Sequence, residues 1–163
     1  TPCLVPDTSP FGQLEGGTNM VVLEGDQVEQ VVLRGPGAGE GPTASAVMGD
    51  VMDIARGIRP AIFGRPAHEL VAATVATSSA PAPYYLRFSL LDKPGALAKV
   101  ATALGNAGVS IDRMRQYGHA DTSAPVLIVT HKSAHADLQA ALTAMDALDV
   151  IVGKPVALRI EDV

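Results

Sequence analysis

The chain has 163 residues, of which 47% are hydrophobic and 18% charged, and its formal net charge is −5. That allows one domain or two small ones with a packed core. The acidic balance argues against a nucleic-acid partner, since phosphate binding needs clustered Lys and Arg. No stretch is apolar over the length of a membrane span. The one cysteine, Cys3, excludes an internal disulfide and fits a reducing, cytoplasmic compartment.

Residues 1–10 are rich in Pro and extended, with a short strand expected at Cys3, Leu4 and Val5 and with Cys3 as a small core residue. Thr18 to Glu24 and Gln27 to Arg34 are β-favouring runs joined by a tight Gly25-Asp26 turn, which predicts a hairpin. A loop with Gly35, Gly37, Gly39 and Gly41 follows. A helix then carries Ala46, Val47, Asp50, Val51, Ile54 and Ala55 at helical spacing, with Thr43 or Ser45 available to cap it. Alternating glycines let backbone approach a ligand closely, and a helix start behind them favours an anion. The pattern is not a Rossmann fingerprint. Gly35 and Gly37 fit G-x-G-x-x-G, but Glu40 stands at its last place and the preceding strand belongs to a hairpin. The alternative is a closely packed strand-to-helix connection.

Residues 60–83 break both periodicities. Pro60, Pro66, Pro81 and Pro83 with Ser78 and Ser79 read as a linker, and a short apolar piece spans Glu69 to Ala76. The expected organisation is therefore residues 1–59, a linker over 60–83, and a second domain over 84–163.

Tyr84 to Leu91 predicts a strand. Asp92-Lys93-Pro94-Gly95 predicts a turn, with Pro94 suited to a first helical turn. Ala96, Leu97, Val100, Ala101 and Leu104 form one face of a helix, and Asn106-Ala107-Gly108 ends it. Val109 to Tyr117 is a second strand, 118–124 a polar loop with His119 and Asp121, and Pro125 to His131 a third strand. Ser133 is placed to cap a helix carrying Leu138, Ala141, Leu142, Met145 and Leu148. Val150 to Val152 and Pro155 to Ile160 close the chain as strands. The order is βαββαβ, a split ferredoxin-like arrangement within an α+β chain.

Strand, acidic Pro-Gly turn, amphipathic helix, Asn-x-Gly stop and strand resemble the first half of an ACT domain, a small module that binds amino acids. The resemblance covers residues 84–163 and implies pairing with another copy through sheet edges. It implies an effector site at Asp92, Lys93, Pro94, Gly95, Ala96 and Leu97, facing Asn106, Val109, Ser110 and Ile111. N–H groups at the helix start suit an α-carboxylate. Asp92 or Asn106 can hold an ammonium, and Gly95 leaves room by lacking a side chain. The alternative is that Asp92 caps the turn, Gly95 packs, and the domain only dimerises.

The run from Asn19 to Asp26, with G-P-G-A-G-x-G-P-T-A-S-A-V-x-G-D-V-x-D-I-A-R from Gly35 to Arg56, resembles the end of the catalytic region of homoserine dehydrogenase. The opening TPCLVP resembles the strand after that family's catalytic lysine segment. The resemblance implies an oxidoreductase that interconverts L-homoserine and L-aspartate 4-semialdehyde with NAD(P), in threonine and methionine biosynthesis. It implies Gly37, Gly39, Thr43 and Ala44 as cofactor contacts and threonine as the effector. It also implies homo-oligomers formed through the ACT sheets and the N-terminal strands. The Rossmann domain, the catalytic lysine and the substrate-binding acids are missing from this sequence. The expectation is thus a fragment, inactive alone, with no catalytic residue and no tightly bound cofactor of its own. A free-standing amino-acid sensor is the alternative reading.

The remaining polar residues point less sharply. His131 and His135 are four apart but straddle a strand end and a helix start, so a metal site is not expected. His68 beside Glu69, and Asp50 with Asp53, read as solvated groups.

Overall fold

The computed structural model describes residues 2–61, 63–74, 80–118 and 123–161. Two compact units form, one from residues 10–75 and one from residues 1–9 with 76–163.

In the first of these, β2 (Thr18–Gly25) and β3 (Glu29–Pro36) pair antiparallel, with Val22 opposite Val32 and Gly25 opposite Glu29. The connection is Asp26-Gln27-Val28, longer than the tight turn expected. The positive φ of 54° falls on Glu29, as in three-residue hairpin loops that close through a left-handed residue. Helix α1 (Glu40–Ala55) starts directly after Gly39 and has no side-chain cap. Thr43 and Ser45, expected as caps, lie inside its first turns, and the Thr43 N–H donates to the Gly39 carbonyl at 3.2 Å. The early start suits Pro42, whose missing N–H is not needed in a first turn. None of the α1 residues is buried, and Val47, Val51 and Ile54 are exposed. After α1, the described residues of this unit form only a short 3₁₀ turn, Ala67–Glu69.

The larger unit is β4 (Tyr84–Leu91), α2 (Ala96–Asn106), β5 (Ile111–Gln116), β6 (Ser123–Thr130), α3 (His135–Met145) and β7 (Val156–Ile160). Its strands run β7-β4-β6-β5 and pair antiparallel throughout, the expected split arrangement. Alternation along β4 explains the layering. Tyr84, Leu86, Phe88 and Leu90 are buried with Val126 and Ile128, whereas Arg87 is exposed on the other face. Val100 and Leu104 of α2, with Leu138, Ala141 and Met145 of α3, complete the core. Burying a side chain of Leu or Phe size contributes about 1.5–3 kcal/mol.

Three local expectations are corrected. Pro94 stands before α2 rather than in it, because Gly95, at φ 82°, is the N-cap. Ser133 does not cap α3. Its backbone bridges Ala82 and its hydroxyl donates to the His131 carbonyl at 3.1 Å, which leaves Ala134 as the N-cap. Cys3 is exposed rather than buried, because β1 (Cys3–Leu4) is a two-residue edge strand, parallel to β7. The helix stop is as expected, with Gly108 at φ 78°. His119 and Asp121 lie outside the described residues.

Candidate functional site

Two places carry the residues singled out from the sequence. The first is the glycine loop between β3 and α1. A Cβ on Gly37 would lie 1.9 Å from Asn19 Nδ2, so the exposed Asn19 amide rests in the space that glycine leaves and would turn aside for a side chain. The Gly37 N–H donates to the Gly17 carbonyl at 3.1 Å. Gly39 has φ 118°, a conformation that side chains disfavour. Gly35 and Gly41 meet no such restriction. Gly37, Gly39, Thr43 and Ala44 are all exposed, the first two in the loop and the last two in the first turns of α1. Glu40 occupies the first helical position. Its carboxylate complements the helix dipole but opposes a bound phosphate. The loop thus offers bare backbone with a carboxylate beside it that disfavours an anion.

The second place is a cleft of about 820 Å³ at the start of α2, lined by Asp92, Lys93, Pro94, Gly95, Ala96 and Leu97. The structure brings these six expected residues together and adds Leu90, Leu91, Ala98, Ala101, Gln116 and Val126. Gln116 and Val126 come from β5 and β6, whose proximity follows only from strand order. Within the turn, the Lys93 N–H donates to the Leu91 carbonyl at 2.9 Å and the Ala96 N–H to the Lys93 carbonyl at 3.1 Å. The N–H groups of Leu97 and Ala98, in the first helical turn, have no intrahelical acceptor. Gly95 owes its identity to backbone conformation rather than space, since a Cβ there would meet nothing within 4 Å.

Asn106, Val109, Ser110 and Ile111 do not line this cleft. They lie at the other end of α2, roughly 15 Å away at 1.5 Å per residue. Val109 is buried in the core and Ile111 packs against it, while Asn106 and Ser110 are exposed. Beside the helix, the Lys99 ammonium donates to Asp149 at 2.6 Å. That hydrogen bond, and then the ammonium's charge, lowers the Asp149 pKa.

The histidines have separate neighbours. His131 Nε2 lies 3.9 Å from Asp112, and His135 Nδ1 lies 3.5 Å from the Tyr84 hydroxyl. Among the described residues no group of three or more His, Cys, Asp or Glu is placed to hold a metal. No helix among them is long and apolar enough to cross a membrane.

Comparison with known proteins gives two family matches along the chain. The family described as homoserine dehydrogenase matches residues 1–52, and the ACT domain family matches residues 84–150. Homoserine dehydrogenase of Neisseria gonorrhoeae is 33% identical over 96% of this chain and 38% of its own length. That of Mycobacterium tuberculosis is 34% identical over 98% and 38%. The crystal structure of a homoserine dehydrogenase from Thiobacillus denitrificans superposes with a TM-score of 0.76 at 30% identity, over 99% of this chain and 38% of that one. The chain therefore spans well under half the length of the relatives it matches. In sequence and fold it belongs with the homoserine dehydrogenases and corresponds to their C-terminal part, a segment of the homoserine dehydrogenase family followed by an ACT domain.

Proposed function

We propose that this chain serves a homoserine dehydrogenase as its cofactor-closing segment and its regulatory domain. The complete polypeptide interconverts L-homoserine and L-aspartate 4-semialdehyde, in the supply of threonine and methionine. The observation that carries this is the order of parts: a glycine loop of the homoserine dehydrogenase type, then an ACT domain, along one chain matched over nearly all its length.

When bound, NAD(P) exchanges hydride with the substrate. The part played by this chain is to close on the cofactor with Gly37 and Gly39, backed by Thr43 and Ala44. The exposed, side-chain-free backbone supports that contact, and the Glu40 carboxylate favours the nicotinamide end over the phosphates. The catalytic lysine belongs to the part of the polypeptide that this chain does not include, so this chain alone does not turn over.

In the ACT domain, the cleft at 92–97 takes the α-carboxylate of an amino acid on the first-turn N–H groups of α2, with threonine the effector. Asn106, Val109 and Ile111 belong to the same site through a second copy, because within one chain they sit at the far end of α2. Homo-oligomers form through the ACT sheets and through the hairpin strands, whose exposed Val21, Leu23 and Leu33 call for a cover.

The test is steady-state homoserine oxidation by the complete enzyme. Threonine is expected to inhibit it, and Asp92→Ala with Gly95→Val to relieve inhibition without changing uninhibited turnover. Activity without threonine inhibition removes the effector reading, and inactivity toward homoserine removes the whole.

A further inference from the structure

A second cavity, of about 590 Å³, lies in the ACT unit away from the turn, between the first turns of α3 and strands β1, β4 and β7. Its volume falls within the range of small-molecule sites. One end is built by Arg159 and Glu161. They lie two residues apart at the end of β7, and Arg159 Nε donates to the Glu161 carboxylate. The guanidinium is mostly covered, at 20% side-chain exposure, and a second hydrogen bond to the Ala80 carbonyl at 3.0 Å fixes it. The other wall is apolar, from Leu138 and Ala157. His135 and Gln139, four apart on α3 and both exposed, stand at the same opening.

We infer that this cavity is a second small-molecule site, separate from the turn cleft, for a free amino acid with a short apolar side chain. Arg159 and Glu161 already pair with each other, so a ligand has to exchange into that pair, and only one with both charges does so without leaving a partner unmet. A simple anion would meet Glu161 and a simple amine would meet Arg159, whereas an α-amino acid satisfies both. The imidazole of His135 and the amide of Gln139 add donors for the carboxylate. Leu138 and Ala157 receive the side chain. Because Cys3 also lines the cavity, the ligand spans β1 and α3 and clasps the short edge strand to the sheet. The inference stands on this cavity and does not depend on threonine binding at the turn.

Cys3 is the chain's one thiol and is exposed, so its modification rate by a chromogenic disulfide reports occupancy directly. Millimolar valine is expected to slow modification severalfold. Isovalerate, which lacks the ammonium, and isobutylamine, which lacks the carboxylate, are expected to leave it unchanged. Glu161→Gln and, on the exposed surface of α3, Gln139→Ala are expected to abolish protection, and Asp92→Ala in the turn cleft to preserve it. The inference is overturned if alanine, valine and leucine all fail to protect, if isovalerate or isobutylamine protects equally, or if protection survives both Glu161→Gln and Gln139→Ala. Loss of protection in Asp92→Ala also overturns it, and moves the ligand to the turn. Calorimetry with threonine tests the turn cleft separately.

Discussion

Single residues here carry distinct physical demands that share one letter in the sequence. Gly37 leaves space that the Asn19 amide fills, since a Cβ there would overlap it. Gly37→Ala is expected to displace that amide and to destabilise the hairpin unit by only about 0.5 kcal/mol. Asn19→Ala in the same background should recover part of it, a coupling that a double-mutant cycle in urea would read. Gly95 is required by conformation, at φ 82° in open surroundings. Gly95→Ala is expected to cost about 1–2 kcal/mol from the left-handed backbone alone. A midpoint unchanged by that substitution would show that the turn relaxes. Phe88 is the largest side chain wholly enclosed by the ACT core. Phe88→Ala is expected to cost about 3–5 kcal/mol, measured by denaturant unfolding.

At the scale of elements, α2 is tied to the loop after α3 by Lys99 and Asp149. The hydrogen bond from Lys99 lowers the pKa of the Asp149 carboxyl in the folded chain relative to the unfolded one. A lowered folded value means stabilisation that is complete above the ordinary carboxylate range and is lost as pH falls through the folded value. The urea midpoint of the wild-type chain is therefore expected to fall more steeply than that of Asp149→Asn below about pH 4. Parallel curves would show that the exposed pair contributes nothing. Element boundaries were legible where periodicity was strong, as in α2, whose buried Ala96, Val100 and Leu104 lie on the expected face. They were misplaced where a backbone contact outweighed a capping side chain. Ser133 looks like an N-cap in sequence, yet its pairing with Ala82 holds it one residue too early.

For the molecule as a whole, the two units differ in how they satisfy their apolar groups. The ACT unit encloses Leu86, Phe88, Leu104, Ile128 and Leu138 by itself. The hairpin and α1 leave Val21, Leu23, Val47, Met48, Val51 and Ile54 exposed, more than an isolated surface tolerates. Self-association that rises with concentration is expected in sedimentation, and Val51→Lys with Ile54→Lys should suppress it. Of the two candidate sites, the glycine loop and the turn were legible because each is a contiguous stretch whose residue types imply its backbone. The cavity between α3 and β7 was not, since Tyr84, His135 and Arg159 meet only after strands far apart in the chain become neighbours.

The order of residues by itself determined the two kinds of segment, the helix faces, the glycine-dependent turns and the family. Local conformation and side-chain periodicity depend only on near neighbours. The tertiary structure alone decided that Cys3–Leu4 would extend the ACT sheet, that Val109 would be enclosed in the core, and that Arg159 and Glu161 would face α3. Strand pairing and burial join residues far apart in the chain, and no local pattern encodes which edge a two-residue strand will take.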